Sequence, residues 1–259
     1  MKINSGLIIL FCFLPAWLFS QPSKPSAQAQ QGVAVIELFT SQGDINSPAA
    51  DKILSEIIAD AEKNNKEIYC LSMHVDFWNR YGWMDPFSNL KYTRRLTNYT
   101  SVLEMKETYT PLMLLNGRTV LPVSDKNKVM ENIESALLKN ALYKPDFSYT
   151  IFNDTLDVSY NIGGTVTQGK SGSNKYVNVA VVEKGLSTAV TKGDNNGKTL
   201  KNDNVTRLFY TTDLKTAKGL IRIPLKAMKP GVNKKLILFV QEKSTKKVLG
   251  AASVPFQTR

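Results

Sequence analysis

The chain has 259 residues and carries 33 Lys/Arg against 22 Asp/Glu, a formal net charge of +11. It holds two cysteines, Cys12 and Cys70, and 42% hydrophobic residues. No nucleic-acid recognition module accompanies the lysines, so nucleic acid is excluded as the expected partner. After the first 20 residues no segment approaches about 18 consecutive apolar positions, so no transmembrane segment is expected there.

Residues 1–20, MKINSGLIILFCFLPAWLFS, place one positive charge at Lys2 ahead of an apolar run that closes on small Ser20. That layout predicts a secretory signal peptide, too short for a comfortable span; a retained anchor is the alternative. Export to the periplasm or beyond the cell follows, and cleavage removes Cys12. Cys70 is then the one thiol left, which excludes an internal disulfide. Its place within an apolar run predicts a buried side chain rather than a reactive one. Residues 21–32, including PSKPSAQAQQG, are polar and aperiodic and read as a flexible leader.

VAVIELFT (33–40) reads as a strand covered on both faces. Ile53, Leu54, Ile57, Ile58 and Ala61 then recur at helical spacing behind Pro48, with Asn46 or Ser47 as N-cap and Asn64-Asn65 as the stop. EIYCLSMHV (67–75) is a second buried strand, completing a βαβ unit with a parallel pair. An aromatic insertion over 76–109 follows, DFWNRYGWMDPF and then a polar helix of about 15 residues from near Ser88. TPLMLLNGRTVLP (110–122) reads as two strands turning at Asn116-Gly117. Ser124 is the expected cap of a last helix bearing Val129, Ile133, Ala136 and Leu137 on one face. This order, with a mixed sheet and helices on both sides, is that of a thioredoxin domain over 33–144.

From Pro145 the pattern changes to about seven alternating strands: FSYTIF, TLDVSY, YVNVAVVE, TRLFYT, GLIRIPL, KLILFVQE and KVLGAASVPF. Turn signals stand at Asn153-Asp154, Gly163-Gly164 and Pro230-Gly231, and the pattern predicts an all-β sandwich over 145–259. TKGDNNGKTLKNDN (191–204) reads as an exposed loop. Residues 145–259 hold 18 Lys/Arg against 8 Asp/Glu, whereas residues 21–144 balance at 14 and 14. A basic sandwich attracts anionic surfaces, so an anionic envelope lipid or glycan is its expected partner; a merely solvated surface is the plainer alternative.

SQG-xxxx-PAAD at 41–51, MHVDFWNRYGWMDPF at 73–87 and YTPLMLLNGR at 109–118 together resemble the domain of unknown function 1223 family, exported thioredoxin-like bacterial proteins. GDNNGKTLKNDNVTR and LFVQEKSTKKVLGAA resemble that family's C-terminal part, so the likeness covers nearly the whole exported chain. The family's loop reads Ser-Gln-Gly-Cys-x-x-Cys-Pro-Pro-Ala-Asp, followed by His-Val-Asp-Tyr-Trp. Here the two cysteine positions hold Asp44 and Ser47, and the second proline is Ala49. A CxxC pair needs one thiolate to attack and another thiol to resolve the mixed disulfide. A carboxylate and an unactivated hydroxyl do neither, so the pair is expected to supply helix-capping chemistry instead. The resemblance further implies a cis Thr110-Pro111 bond facing the loop, in a groove where a substrate peptide lies extended.

Candidate groove residues are therefore His74, Asp76, Trp78, Tyr109, Thr110 and Pro111 beside Asp44 and Ser47. Two sharper arrangements share these positions: Ser47 as nucleophile with His74 as base and Asp76 as orienter, or a metal on Asp44, His74 and Asp76. A residual monothiol oxidoreductase would rest on Cys70. Phe77, Trp78, Tyr81, Trp83 and Phe87 read either as a small core anchoring the insertion or as a wall of the groove. Arg94 and Arg95 read as a solvated helix face. The reading adopted is a redox-inactive binding protein of the cell envelope, holding a peptide or protein, with no catalytic residue, metal or cofactor assigned.

Overall fold

A computed structural model describes residues 32–163, 174–225 and 233–257. The predicted signal peptide, the leader up to residue 31, and the turn positions Gly164 and Pro230-Gly231 lie outside the described residues.

Strands β1 (Ala34–Thr40) and β2 (Ile68–His74) are buried along their whole length and pair in parallel, from Ala34 opposite Ile68 to Thr40 opposite His74. Helix α1 (Ser47–Lys63) crosses between them. Strand β3 (Leu112–Leu115) runs antiparallel to β1, and β4 (Thr119–Leu121) antiparallel to β3. The turn joining them holds Asn116 and Gly117 at positive φ, as the Asn-Gly pair predicts. Alternation along the strands sorts their side chains between the two faces. Ile36, Leu38, Cys70 and Met113 pack under α1 and α3 (Lys126–Leu137). Val35, Phe39, Leu71 and Leu112 pack under Tyr92, Leu96 and Tyr99 of α2 (Leu90–Val102).

The remaining strands are β5 (Lys144–Phe152), β6 (Thr155–Gly163), β7 (Lys175–Glu183), β8 (Leu186–Ala189), β9 (Thr199–Asn202), β10 (Val205–Asp213), β11 (Lys218–Pro224), β12 (Lys234–Glu242) and β13 (Val248–Phe256). All seven predicted strands are present, and β8 and β9 add a hairpin. Strands β11, β6 and β5 form a three-stranded sheet. Its Phe147, Leu156 and Val158 pack on Val177, Val179, Leu236 and Leu238 of β7 and β12, giving a sandwich-like core. The second layer of that core is part of a larger sheet, however: β13-β12-β7-β10-β2-β1-β3-β4 is one eight-stranded mixed sheet.

The seam lies between β10 and β2, which pair in parallel at Val205 and Ser72. Asn204 reinforces it: its carbonyl accepts from the Ser72 N–H at 2.9 Å, and its side-chain amide donates to the Cys70 carbonyl at 3.1 Å. A buried ion pair of the first half also reaches across to the second. Arg95 on α2 donates to Glu37 on β1 at 2.5 and 2.9 Å and to Gln241 on β12 at 3.2 Å. Its guanidinium lies 4.4 Å from the Phe209 ring centroid. The expectation of a solvated Arg95 is thus corrected: a carboxylate on a fully buried strand requires a cation, and Arg95 is the one that reaches it.

Three local expectations also change. Helix α3 is capped by Asp125, whose carboxylate accepts from the Lys128 N–H at 3.1 Å, rather than by Ser124. At α1, Asn46 occupies the cap position without a side-chain cap bond. The stretch 191–204, expected as an exposed loop, contains β9 and buries Asn195, Leu200, Asn202 and Asn204.

Candidate functional site

The loop from Ser41 to Asn46 leaves the C-terminal end of β1 and enters α1. Asp44, within it, is fully buried. Its carboxylate accepts from the Ser47 hydroxyl at 2.8 Å, from the Thr110 hydroxyl at 2.8 Å and from the Asn46 N–H at 3.0 Å. Ser47 accepts in turn from the Ser41 N–H at 3.2 Å. Asp44 and Ser47 therefore form a satisfied polar knot; of the capping expected from the two, Asp44 accepts from the Asn46 amide at the start of α1, while Ser47 turns back to the Ser41 amide. Trp78 extends it by donating from its indole nitrogen to Thr110 Oγ1 at 2.7 Å. The Thr110-Pro111 peptide bond is cis. Asp44, Ser47, Trp78, Thr110 and Pro111 are thus brought together, with Tyr109 exposed beside them.

Two covers close this knot from outside. In the aromatic insertion, Trp78 stands over Gly43, where an added Cβ would lie 3.2 Å from the Trp78 Cβ. From the opposite half of the chain, Asn195 sends its amide to the carbonyls of Gln42 and Asp44, both at 3.0 Å. Trp83 donates to Gln42 Oε1 at 3.2 Å, and Gly193 packs on Trp83 and Tyr81. What stays exposed is the apolar rim: Ile45, Tyr81, Met84 and Tyr109 are 43 to 71% accessible.

His74 and Asp76 are not part of this group. His74 is fully buried, and its Nδ1 pairs with Asp85 Oδ2 at 2.7 Å. Asp76 accepts from the Thr93 hydroxyl at 2.6 Å. Ser47 is engaged by Asp44 and Ser41, so the nucleophile, base and orienter arrangement is not assembled, nor do Asp44, His74 and Asp76 converge as ligands. Among the described residues, no group of three or more His, Cys, Asp or Glu side chains is placed to hold a metal. Cys70 is 2% exposed, and burial pushes its thiol pKa up, the opposite of what an attacking thiolate needs.

A second polar layer lies deeper, under α1. Asp51 Oδ2 accepts from the Thr40 hydroxyl at 3.1 Å, and Gln42 donates to Asn202 at 2.9 Å. Asp51 Oδ1, His74 Nε2, Ser72 Oγ and Asn202 Nδ2 have no hydrogen-bond partner in the described structure. Burial pushes the Asp51 carboxyl up to about 7, although His74 and the Thr40 hydroxyl oppose the shift. Burial also works against charge on His74, but the Asp85 carboxylate outweighs it and the imidazole pKa is raised. Asp85 is held below the usual carboxylate range despite its burial, by His74 and by the Gln42 and Phe87 amides.

Asp51, Asp85, Gln42 and Asn195 were not singled out from the sequence. Asp51 did leave a signal, because it shares the buried stripe of α1 with Ser47, Ala50, Leu54 and Ile58. A lone carboxylate at a core position needs partners.

The fold and this loop together define a class: a mixed α/β protein whose β1–α1 loop is built into the core by side chains from both halves. More particularly, the chain belongs to the family described as "Protein of unknown function (DUF1223)", which it matches over residues 35–241. It is similar in structure to protein AGR_C_4864 from Agrobacterium tumefaciens, with a TM-score of 0.63 and 23% identity, covering 89% of this chain and 98% of that one. It is also similar to HBP35 of Porphyromonas gingivalis, with a TM-score of 0.60 and 12% identity, covering 87% and 76%. At those identities the likeness is one of fold. No curated protein matches the sequence.

Proposed function

We propose that the protein is an exported, redox-inactive thioredoxin-like binding protein of the cell envelope, and that it holds a peptide or protein along the rim of the former active-site loop. The thioredoxin-like assignment of residues 33–144 is supported by the strand order β2-β1-β3-β4, with α1 and α3 on one face and α2 on the other. Export is supported by the layout of residues 1–20. The observation that carries the binding reading is the contrast across the loop. Asp44 and Ser47 are sealed into a satisfied network, while Ile45, Tyr81 and Tyr109 stay exposed around it. Trp78 joins these positions, its ring 5.3 Å from that of Tyr81 and its indole bonded to Thr110, next to Tyr109. Clustered exposed apolar side chains with rigid aromatic members mark contact surfaces.

In this reading His74, Asp76 and Cys70 do not touch the ligand, and Asp44 and Ser47 shape the loop from beneath. The basic β-rich half adds electrostatic attraction to an anionic envelope surface, a lipid or a glycan. A peptide array probed with the cleaved, full-length protein tests the binding surface. The expected result is saturable capture of extended apolar peptides, weakened about tenfold by Ile45→Ser with Tyr109→Ala, the worth of one good aromatic contact. Capture unaffected by that pair would remove the rim from consideration. Insulin reduction at the uncatalysed rate is the second expected result, and measurable turnover by the natural chain would overturn the redox-inactive half of the reading.

A further inference from the structure

A cleft of about 570 Å³ opens at the other end of β1, between Val33, the β3–β4 turn, the end of α3 and the β12–β13 turn. Along an extended strand this is roughly 20 Å from the loop that enters α1, so it is a separate place on the molecule. The volume falls within the range of small-molecule sites, about 300–1,000 Å³.

The composition of its wall is one-sided. Arg118, Lys139 and Lys247 line it, and no Asp or Glu does. None of the three has a carboxylate partner among the described residues, although ten other Lys and Arg side chains do. The three cations stand exposed at the mouth, while Leu115, Val248 and Leu249 form a buried apolar floor. Asn132 and Ser135, on one side of α3, add neutral hydrogen-bonding groups to the lining.

The walls are also held in place without a ligand. The Val248 N–H donates to the Asn116 carbonyl at 3.0 Å, and Leu142 N–H to Leu249 at 2.9 Å. Arg118 Nη1 donates to the Thr245 carbonyl at 3.1 Å, fixing the guanidinium at the mouth. At Gly117 an added Cβ would lie 2.0 Å from the Lys246 carbonyl oxygen, so the two turns are in direct contact. Gly32 is bonded to the Leu137 carbonyl at 3.1 Å, which brings the chain entering β1 against the end of α3. A site whose walls are already ordered loses little entropy on binding.

We propose that this cleft binds a small amphipathic anion, an apolar body carrying one carboxylate or phosphate head. The body lies on the Leu115, Val248 and Leu249 floor, and the head meets Arg118, Lys139 and Lys247 at the mouth. The polar leader before Gly32 is a poor occupant by comparison, because Lys24 gives it a positive charge and it has no apolar run.

Calorimetric titration of the full-length cleaved protein with decanoate and with decyl phosphate, both below micelle formation, tests this. Decanol and decyltrimethylammonium are the controls. Saturable one-to-one binding of at least one anion is expected, at least tenfold tighter than either control and weakening as salt rises. Arg118→Gln, Lys139→Gln and Lys247→Gln combined should lose about tenfold or more in affinity. Ser135→Trp, which fills the cleft and removes no charge, should abolish binding and covers the case in which the triple variant fails to fold. Preference for decanoate over decyl phosphate would identify a fatty-acid-like ligand, and the reverse a phosphate head. Equal binding of the cationic control, or no saturable binding of either anion, overturns the proposal. Binding to phosphatidylglycerol vesicles alone would assign the three cations to surface attachment and overturn it equally.

Discussion

Asp44 shows how a carboxylate is accommodated in a core. It is buried with three donors: the hydroxyls of Ser47 and Thr110 and the Asn46 amide. Asp44→Ala removes the acceptor and leaves those donors without a partner in a site closed to water. A loss of roughly 2–4 kcal/mol is expected, read as a lower urea midpoint at unchanged slope. A loss below about 0.5 kcal/mol, the scale of a surface change, would show that the knot is not closed. That Asp44 and Ser47 stand where the resembling loop pattern carries cysteines was an expectation of the sequence. Their burial was not, because the groups that cover them, Trp78 and Asn195, come from 31 or more residues further along the chain.

Asp51 offers a second test at the same scale. Its carboxyl is raised from 3.8 to about 7 by burial. The folded chain therefore keeps this proton to higher pH than the unfolded chain does. The stability it contributes is fully present below about pH 4 and is lost as pH rises towards 7. His74, with its pKa raised above 6.5, acts in the same direction at the upper end, while Asp85, held low, loses its contribution only in acid. Asp51→Asn holds the neutral state at every pH. Between pH 5 and 7 the variant should gain on the natural protein by on the order of 1 kcal/mol per pH unit in denaturant titrations. A difference that does not change with pH would mean that Asp51 titrates normally.

Among the elements, strands and helices followed from period and end signals, and their placement did not. Alternation and apolar runs locate β5, β6, β7, β10, β11, β12 and β13, and Asn116-Gly117 locates the β3–β4 turn. Arg95 illustrates the missing part. On α2 it sits in a polar sequence, and only the packing of that helix against β1 and β12 turns it into a buried ion-pair partner. Breaking the pair from one side strands a buried charge. Glu37→Leu or Arg95→Met alone is expected to cost roughly 3–5 kcal/mol, whereas Glu37→Leu with Arg95→Met should cost less than the sum of the singles. Urea midpoints for the three variants close the cycle, and strict additivity would show that the two side chains act independently. The 191–204 stretch makes the same point. Its composition reads as an exposed loop, yet Asn195 finds two carbonyls to bond and its neighbours Asn202 and Asn204 follow it into the interior.

At the scale of the whole molecule, the position where the sequence changes character is not where the structure divides. The pattern switches near residue 145, from βα units to alternating strands, but the eight-stranded sheet continues across that point through β2 and β10. The core under α2 draws on both sides: Phe39, Leu71 and Tyr99 from the first part pack with Ala180, Val182, Ile237 and Phe239 from the second. Sequence periodicity is local and cannot report a pairing between residues 72 and 205. Cutting the chain there would expose the apolar edge of β2 and strip one wall from the α2 core, so neither part retains its full burial alone. Unfolding is therefore expected to be one cooperative transition. Trp78 and Trp83 lie in the first part, so tryptophan fluorescence reports on that part, whereas far-ultraviolet dichroism sums both and includes β5 to β13 of the second. Their urea curves should superimpose, with one midpoint and one slope. Separated midpoints, with the β-rich signal persisting after the fluorescence change, would show that the seam at Val205 and Ser72 joins two bodies that melt apart.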